Sequence, residues 1–396
     1  MLGVGVAANA SFSAAFAGIP TTAVAMRADY HLDINSLGMV LGLLGLGVAI
    51  SELPWGLLTD RWGDRRVLLL GLASTALALA LMAVFVVPSG STVPGMASLA
   101  GGMLLLGLLG GSVNGSSGRA IMAWFAARER GFAMSIRQTA VPVGGAIGAL
   151  LLPFLAPFGF VWIFGVLAAL CAVTTILTWV WVREPPERAA QTLTTPTNAK
   201  SPLRDTLVWR LALGIGILGA PQICVVTFGT VFLHDFLGAA TWLTSASLIA
   251  VQLGAAVMRV WSGRWTDRHD NRRAYLRFCS VMSAAIFLLL AVTVTLPGQH
   301  AVVIVALLVV GGIIASAWHG VAYAELATRA GAAQSGTALG LGNTFMFISF
   351  FVVPLSVPVL MTAGTWMAVW VLGGVASLVA VALFPAPLRR LAASAA

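Results

Sequence analysis

"GLLTDRWGDRR" at residues 56–66 and "GRWTDRHDNRR" at 263–273 carry Gly, Asp, Arg and a pair of Arg at one spacing. Gly56, Asp60, Arg61, Arg65 and Arg66 each lie 207 residues before Gly263, Asp267, Arg268, Arg272 and Arg273. A shift of 205 extends the match: Asn114-Gly115 falls on His319-Gly320, Gly131 on Gly336, Thr139 on Thr344 and Pro153 on Pro358. A two-residue insertion or deletion separates the two offsets. The charged segment recurs because half of the chain recurs around it. Parallel repeats in a membrane protein place a solute pathway at their interface, near the middle of the bilayer.

The composition requires the membrane. Hydrophobic residues make up 59% of the 396 and charged residues 9%, against about 25% charged in an ordinary soluble domain. So little polar surface cannot cover a water-soluble fold. The net charge of +9 does not signal nucleic acid here, because its distribution matters more than its sum. Cys171, Cys224 and Cys279 are far apart in apolar runs and read as small buried hydrophobes. Residues 1–20 have no basic residue before their apolar run, so they read as a first span rather than a signal peptide.

A helix needs roughly 20 apolar residues to cross the hydrocarbon. Twelve such runs occur, at about 3–26, 35–58, 67–87, 96–124, 132–155, 159–182, 208–232, 241–262, 274–296, 301–327, 334–360 and 365–385. The expected fold is an all-α membrane protein of twelve transmembrane helices in two pseudo-symmetric six-helix halves. Residues 1–182 form the first bundle and 208–396 the second; the Pro- and Thr-rich stretch 183–207 is a flexible cytoplasmic linker. If both termini face the cytoplasm, 18 of the 22 basic residues lie in inner loops, the linker, the C-terminal tail or adjoining helix ends, and only Arg27 lies outside. That asymmetry orients the chain with both termini inside.

These features resemble the major facilitator superfamily of secondary transporters, whose signature between spans 2 and 3 runs Gly-x-x-x-Asp-Arg-x-Gly-Arg-Arg. Residues 56–66 follow it with Asp64 inserted before the Arg pair, and the later copy has Asp270 where the Gly falls. The resemblance covers the whole chain and implies the major facilitator fold, alternating access and a monomer. It says almost nothing of the substrate. "GRAIMAWFAARERG" (118–131) is similar to the end of span 4 in the organophosphate and anion–cation symporter branches, whose Arg lines the central cavity. "MRVWSG" (258–263) is similar to the span 8 Arg region of monocarboxylate transporters. Spans 1 and 7 lack the charged residue those relatives often carry, offering only Asn9 and Gln222.

The loop chemistry can be stated without the family. Gly56 is expected to let span 2 pack closely against a neighbour, and Asp60 to accept from free N–H groups at a helix N-terminus. Arg61, Arg65 and Arg66 can hold carboxylates or carbonyls at other helix ends, closing the inner mouth. Asp267 and Arg268 repeat this in the copy, and Glu129 and Glu325 are candidate carboxylate partners. The competing reading is a plain positive-inside anchor.

Charges inside the spans are expensive, about 2.5–3.5 kcal/mol on the lenient insertion scale, and usually face a cavity. Arg119, Arg137 and Arg259 are the candidate substrate-binding cations, with Gln138, Asn114, Gln222 and Asn343 as polar partners; snorkelling to the inner surface is the rival for Arg119 and Arg259. Gln252 is a further cavity candidate. Glu52, eight residues inside Asp60, and His319 are the candidate proton-coupling groups. Guanidinium forks suit carboxylate and phosphate, so the expected cargo is a small organic anion, a carboxylate above all, moved with protons across a bacterial inner membrane. Efflux of a drug or hydrophobic metabolite is the alternative. The sequence carries no catalytic constellation, no metal-ligand spacing and no cofactor motif, so neither an enzyme nor a cofactor is expected.

The charge asymmetry gives a direct prediction. A Cys placed at Thr195 should react with an impermeant thiol reagent only from the inner side; labelling from outside intact cells would overturn the span count.

Overall fold

The computed structural model describes residues 2–90, 92–124, 136–182, 202–297, 300–330, 335–363 and 365–386. They form fourteen α-helices. In chain order these are α1 Leu2–Phe16, α2 Ala23–Asp29, α3 Ile34–Trp62, α4 Asp64–Phe85, α5 Met96–Trp124, α6 Ala140–Leu155 and α7 Phe160–Trp181. After the linker come α8 Thr206–Leu237, α9 Thr241–His269, α10 Arg272–Thr293, α11 Ala301–Ala317, α12 His319–Ala330, α13 Ser335–Ala363 and α14 Trp366–Leu383. An isolated bridge between Ser89 and Thr92 is the only β-type pairing among the described residues. Most of the linker, Glu129, and the side chains of Asp60, Arg61, Asn114 and Arg119 lie outside the described residues.

Among the described residues, eleven helical stretches are each long and apolar enough to cross a bilayer. The remaining crossing, span 1, is built of α1, a 3₁₀ turn at Ile19–Thr22 and α2. The expected continuous helix is therefore interrupted, at Pro20, which lacks the N–H that the ladder would need. Span 10 also breaks, between α11 and α12 at Trp318. There the Ser316 carbonyl accepts from Arg259 Nε at 3.0 Å and the Ala317 carbonyl from Ser262 Oγ at 3.1 Å. Side chains of α9 insert into the hydrogen-bond ladder, a recognised cause of helix kinks.

Small residues set the helix spacing. The α3–α5 contact is the most extensive in the molecule, and Gly47 meets Gly107 there: a Cβ on Gly107 would lie 3.0 Å from Gly47 Cα. Between lipid-like surfaces, such close approach supplies the packing that hydrophobic exclusion cannot. Across the two parts of the chain, α3 packs on α13, α6 on α9, and the 3₁₀ turn on α8. Among the described atoms, none lies within 4 Å of a Cβ built on Gly56, where close packing was expected. The close contacts on α3 belong instead to Gly38, Gly42, Gly45 and Gly47.

Both charged loops turn at positive φ. Gly63, between α3 and α4, has φ 84°, and Asp270, at the same place in the copy, has φ 46°. Asp270 is αL at ψ 48°, which Asp is among the few L-residues to tolerate, whereas Gly63 is at ψ 159°, so the two loops turn differently. Asp205 caps α8 by accepting from Leu207 N–H at 2.9 Å and from Arg329 Nε at 2.7 Å. Burial opposes its ionisation, but these hydrogen bonds outweigh it and hold the carboxyl below its ordinary value.

The glycine geometry predicts opposite outcomes for two substitutions. Gly107→Val should cost upward of about 2 kcal/mol, because backbone rather than a flexible side chain must yield, whereas Gly56→Ala should stay within roughly 0.5 kcal/mol. Thermal midpoints of the purified variants in one detergent compare them, and equal losses would contradict the packing described.

Candidate functional site

A cavity of about 750 Å³, counting space open to solvent, lies where the first and second parts of the chain meet. Six spans supply its walls: Phe12, Ser13 and Phe16 come from α1, and Arg137 and Gln138 from just before α6. Gln222 comes from α8, Gln252 and Arg259 from α9, His319 and Tyr323 from α12, and Asn343, Phe347 and Phe350 from α13. Chain direction sorts these by depth. Arg137, Arg259 and Tyr323 sit toward the end that bears the charged loops, while Gln222, Gln252 and the Phe residues lie near the middle.

Arg259 is 1% exposed, so the expected rival of snorkelling does not apply. Its Nη1 donates to the Gln138 carbonyl at 2.8 Å while Nε holds the Ser316 carbonyl. One guanidinium thus joins α9, the break in span 10, and the start of α6. His319 stacks on Trp318 with ring centroids 3.9 Å apart, and its Nδ1 lies 3.2 Å from the Ser316 carbonyl oxygen. Arg137 is buried and interacts electrostatically with both Glu52 and Tyr323. Tyr323 in turn interacts with Arg259, and Arg259 with His319. Five ionisable groups from four spans therefore form one connected field. Gln222 Oε1 is buried with no hydrogen-bond partner and would accept a donor from a bound solute.

Of the residues singled out by sequence, Arg137, Arg259, Gln138, Gln222, Gln252, Asn343 and His319 meet at this cavity. Glu52, 3% exposed, is not among its walls but acts on Arg137. Asn114, Arg119 and Glu129 lie outside the described residues or side chains. Sequence reasoning missed Tyr323, one of only three Tyr in the chain; its i+4 spacing from His319 on one helix face was the available signal. It also missed the aromatic wall, because Phe in a membrane span carries no signal of its own.

The charged loops bond within their own parts of the chain. Arg65 donates to the Trp179 carbonyl at 2.9 Å and lies over the Trp179 ring. In the copy, Arg272 pairs with Asp267 and Arg273 with Glu325, both at 2.7 Å, and Arg272 also reaches Thr328. Arg66 and Arg268 are exposed. At the opposite end the two parts are joined: Arg27 makes a bidentate pair with Asp235 at 2.8 and 3.0 Å, His234 lies 2.7 Å from the same carboxylate, and Thr230 donates to the Pro20 carbonyl.

A multi-pass helical bundle with a central cavity between repeated halves, tied at one end, defines a membrane carrier. The chain belongs to the Major Facilitator Superfamily, whose family model matches residues 5–354 and again 237–395. It is a secondary transporter. An uncharacterized MFS-type transporter of Mycobacterium tuberculosis (strain CDC 1551 / Oshkosh) is 30% identical over 353 residues, covering 89% of this chain and 77% of that one. The xylose transporter XylE from E. coli, in a partially occluded inward-open conformation, has the same fold, with TM-score 0.75, 14% identity and 98% of each chain covered. The human organic anion transporter MFSD10 matches with TM-score 0.70 and 15% identity over 96% of this chain and 98% of that one.

The bonds of Arg259 carry a prediction. Arg259→Met takes the donor from the Gln138 carbonyl and leaves the Ser316 carbonyl only His319 Nδ1 nearby, and an unsatisfied buried acceptor costs about 1–3 kcal/mol. The thermal midpoint should fall clearly, with Arg259→Lys intermediate because a point charge cannot reach both carbonyls with a fixed fork. A wild-type midpoint for Arg259→Met would remove the tether.

Proposed function

We propose that the protein carries a small organic anion, a carboxylate above all, across a bacterial inner membrane together with protons. The observation that supports this is the pair of buried guanidinium groups, Arg137 and Arg259, at one cavity, opposed among the described residues by the carboxylate of Glu52. Such a field is net positive, and removal of water strengthens every contact made in it. Glu52 is the coupling site: its protonation leaves Arg137 without a negative neighbour and raises the pull on an anion. His319 and Tyr323 stand beside it as secondary proton carriers. Arg119 and Asn114 on span 4 complete the binding set.

In this reading residues 1–182 and 208–396 are two rocking bundles joined by 183–207, with both termini cytoplasmic and the transporter monomeric. The loop residues Asp60, Arg61, Arg65, Arg66, Asp267 and Arg268, with Glu129 and Glu325, gate the inner mouth, and Gly56 belongs to that loop. The tie at Arg27–Asp235 closes the outer mouth. A second reading, export of a hydrophobic compound, draws on the Phe-rich wall of the same cavity.

Uptake of labelled monocarboxylates into proteoliposomes with an acidic exterior separates the two. Arg137→Gln should lower carboxylate transport at least a hundredfold, about 2.7 kcal/mol, and Glu52→Gln should remove its dependence on the pH gradient. Undiminished uptake by Arg137→Gln, or competition by organic cations and not by carboxylates, would reject the anion reading in favour of export.

A further inference from the structure

Resting on that anion reading, we infer that the cargo is an amphipathic monoanion: one carboxylate attached to an aromatic or similarly flat apolar body. The cavity is polarised along the membrane normal. Its loop-bearing end holds Arg137 and Arg259, whereas its middle is walled by Phe12, Phe16, Phe347 and Phe350. The four rings form one cluster. Phe16 meets Phe350 edge-on at 4.8 Å and Phe347 at 5.4 Å; Phe347 and Phe350 are 5.8 Å apart, and Phe12 and Phe16 5.9 Å apart.

Helix periodicity puts each pair on one face, i and i+4 on α1 and i and i+3 on α13. The ring-to-ring contacts therefore bridge the two halves of the chain. Phe347 and Phe350 are only partly buried, so their faces remain available to a solute. A flat ring placed there replaces water with edge and face contacts of the kind the four already make to each other. A short, fully polar anion would leave the same rings facing its hydration shell.

Geometry favours one carboxylate. Among the described walls the cations stand at one end, as Arg137 and Arg259, and the rest of the cavity faces them with rings and uncharged groups. A second carboxylate on the apolar body would be buried there without a partner, which is costly. Because the aromatic cluster belongs to both halves, a ring bound there also pulls α1 and α13 together. The apolar body thus acts on closure while the carboxylate acts on Arg137.

The test is equilibrium binding to the purified full-length protein, followed by intrinsic tryptophan fluorescence. The probes are phenylacetate, acetate, succinate, benzamide and benzylammonium. Phenylacetate should bind at least tenfold more tightly than each of the others. Phe350→Ala and Phe16→Ala should each weaken phenylacetate at least tenfold and leave acetate within twofold, with Phe350→Leu intermediate should the alanine variant misfold. Acetate or succinate binding as tightly as phenylacetate would overturn the apolar body while leaving the anion site intact. Benzamide binding as tightly as phenylacetate would overturn the monoanion and the anion reading together, leaving only an aromatic pocket.

Discussion

The buried guanidinium of Arg259 is the constraint around which the second half of this transporter is arranged. Taking a cation out of water costs several kcal/mol, and only dense, well-directed hydrogen bonds offset it. Here those bonds come from main-chain carbonyls, Ser316 at the break in span 10 and Gln138 at the start of α6. The break, the cavity floor and the junction with the first half share one donor. Ser262, three residues further on the same helix, takes the next freed carbonyl, Ala317. His319 and Tyr323, on α12 just after those bonds, line the cavity.

The two ends of the bundle are built differently. At the end opposite the charged loops, Arg27–Asp235 joins the parts of the chain, and α3 packs on α13 through Gly38, Gly42 and Gly45. At the loop end, Arg65, Arg272 and Arg273 bond to their own halves. An exposed ion pair contributes little by itself, about 0–1 kcal/mol. The close glycine contacts bring α3 and α13 together at that end, and the Arg27–Asp235 pair adds a polar tie between the two parts.

Much of this was legible in the sequence. The 59% hydrophobic content and the run lengths determine a helical bundle in a membrane, because only helices or closed barrels satisfy the backbone there. The repeated loop determines the internal duplication. Rarity of charge within the spans picks out Arg119, Arg137, Arg259 and Glu52, since a buried charge persists only where something opposes its cost. The family resemblance follows from the loop at 56–66, its copy at 263–273 and the number of spans.

The tertiary structure alone decided the rest. It made Gly107 a packing residue and left Gly56 without a described neighbour, because a glycine's role depends on what approaches it. It separated the roles of two arginines that look alike in sequence: Arg259 is engaged by main-chain carbonyls, while Arg137 stands against Glu52. It gathered four phenylalanines from α1 and α13 into one wall, which no periodicity could reveal, since every span is apolar all round. Sequence sets which groups are too costly to leave unpartnered; the partners themselves are fixed only when distant helices meet.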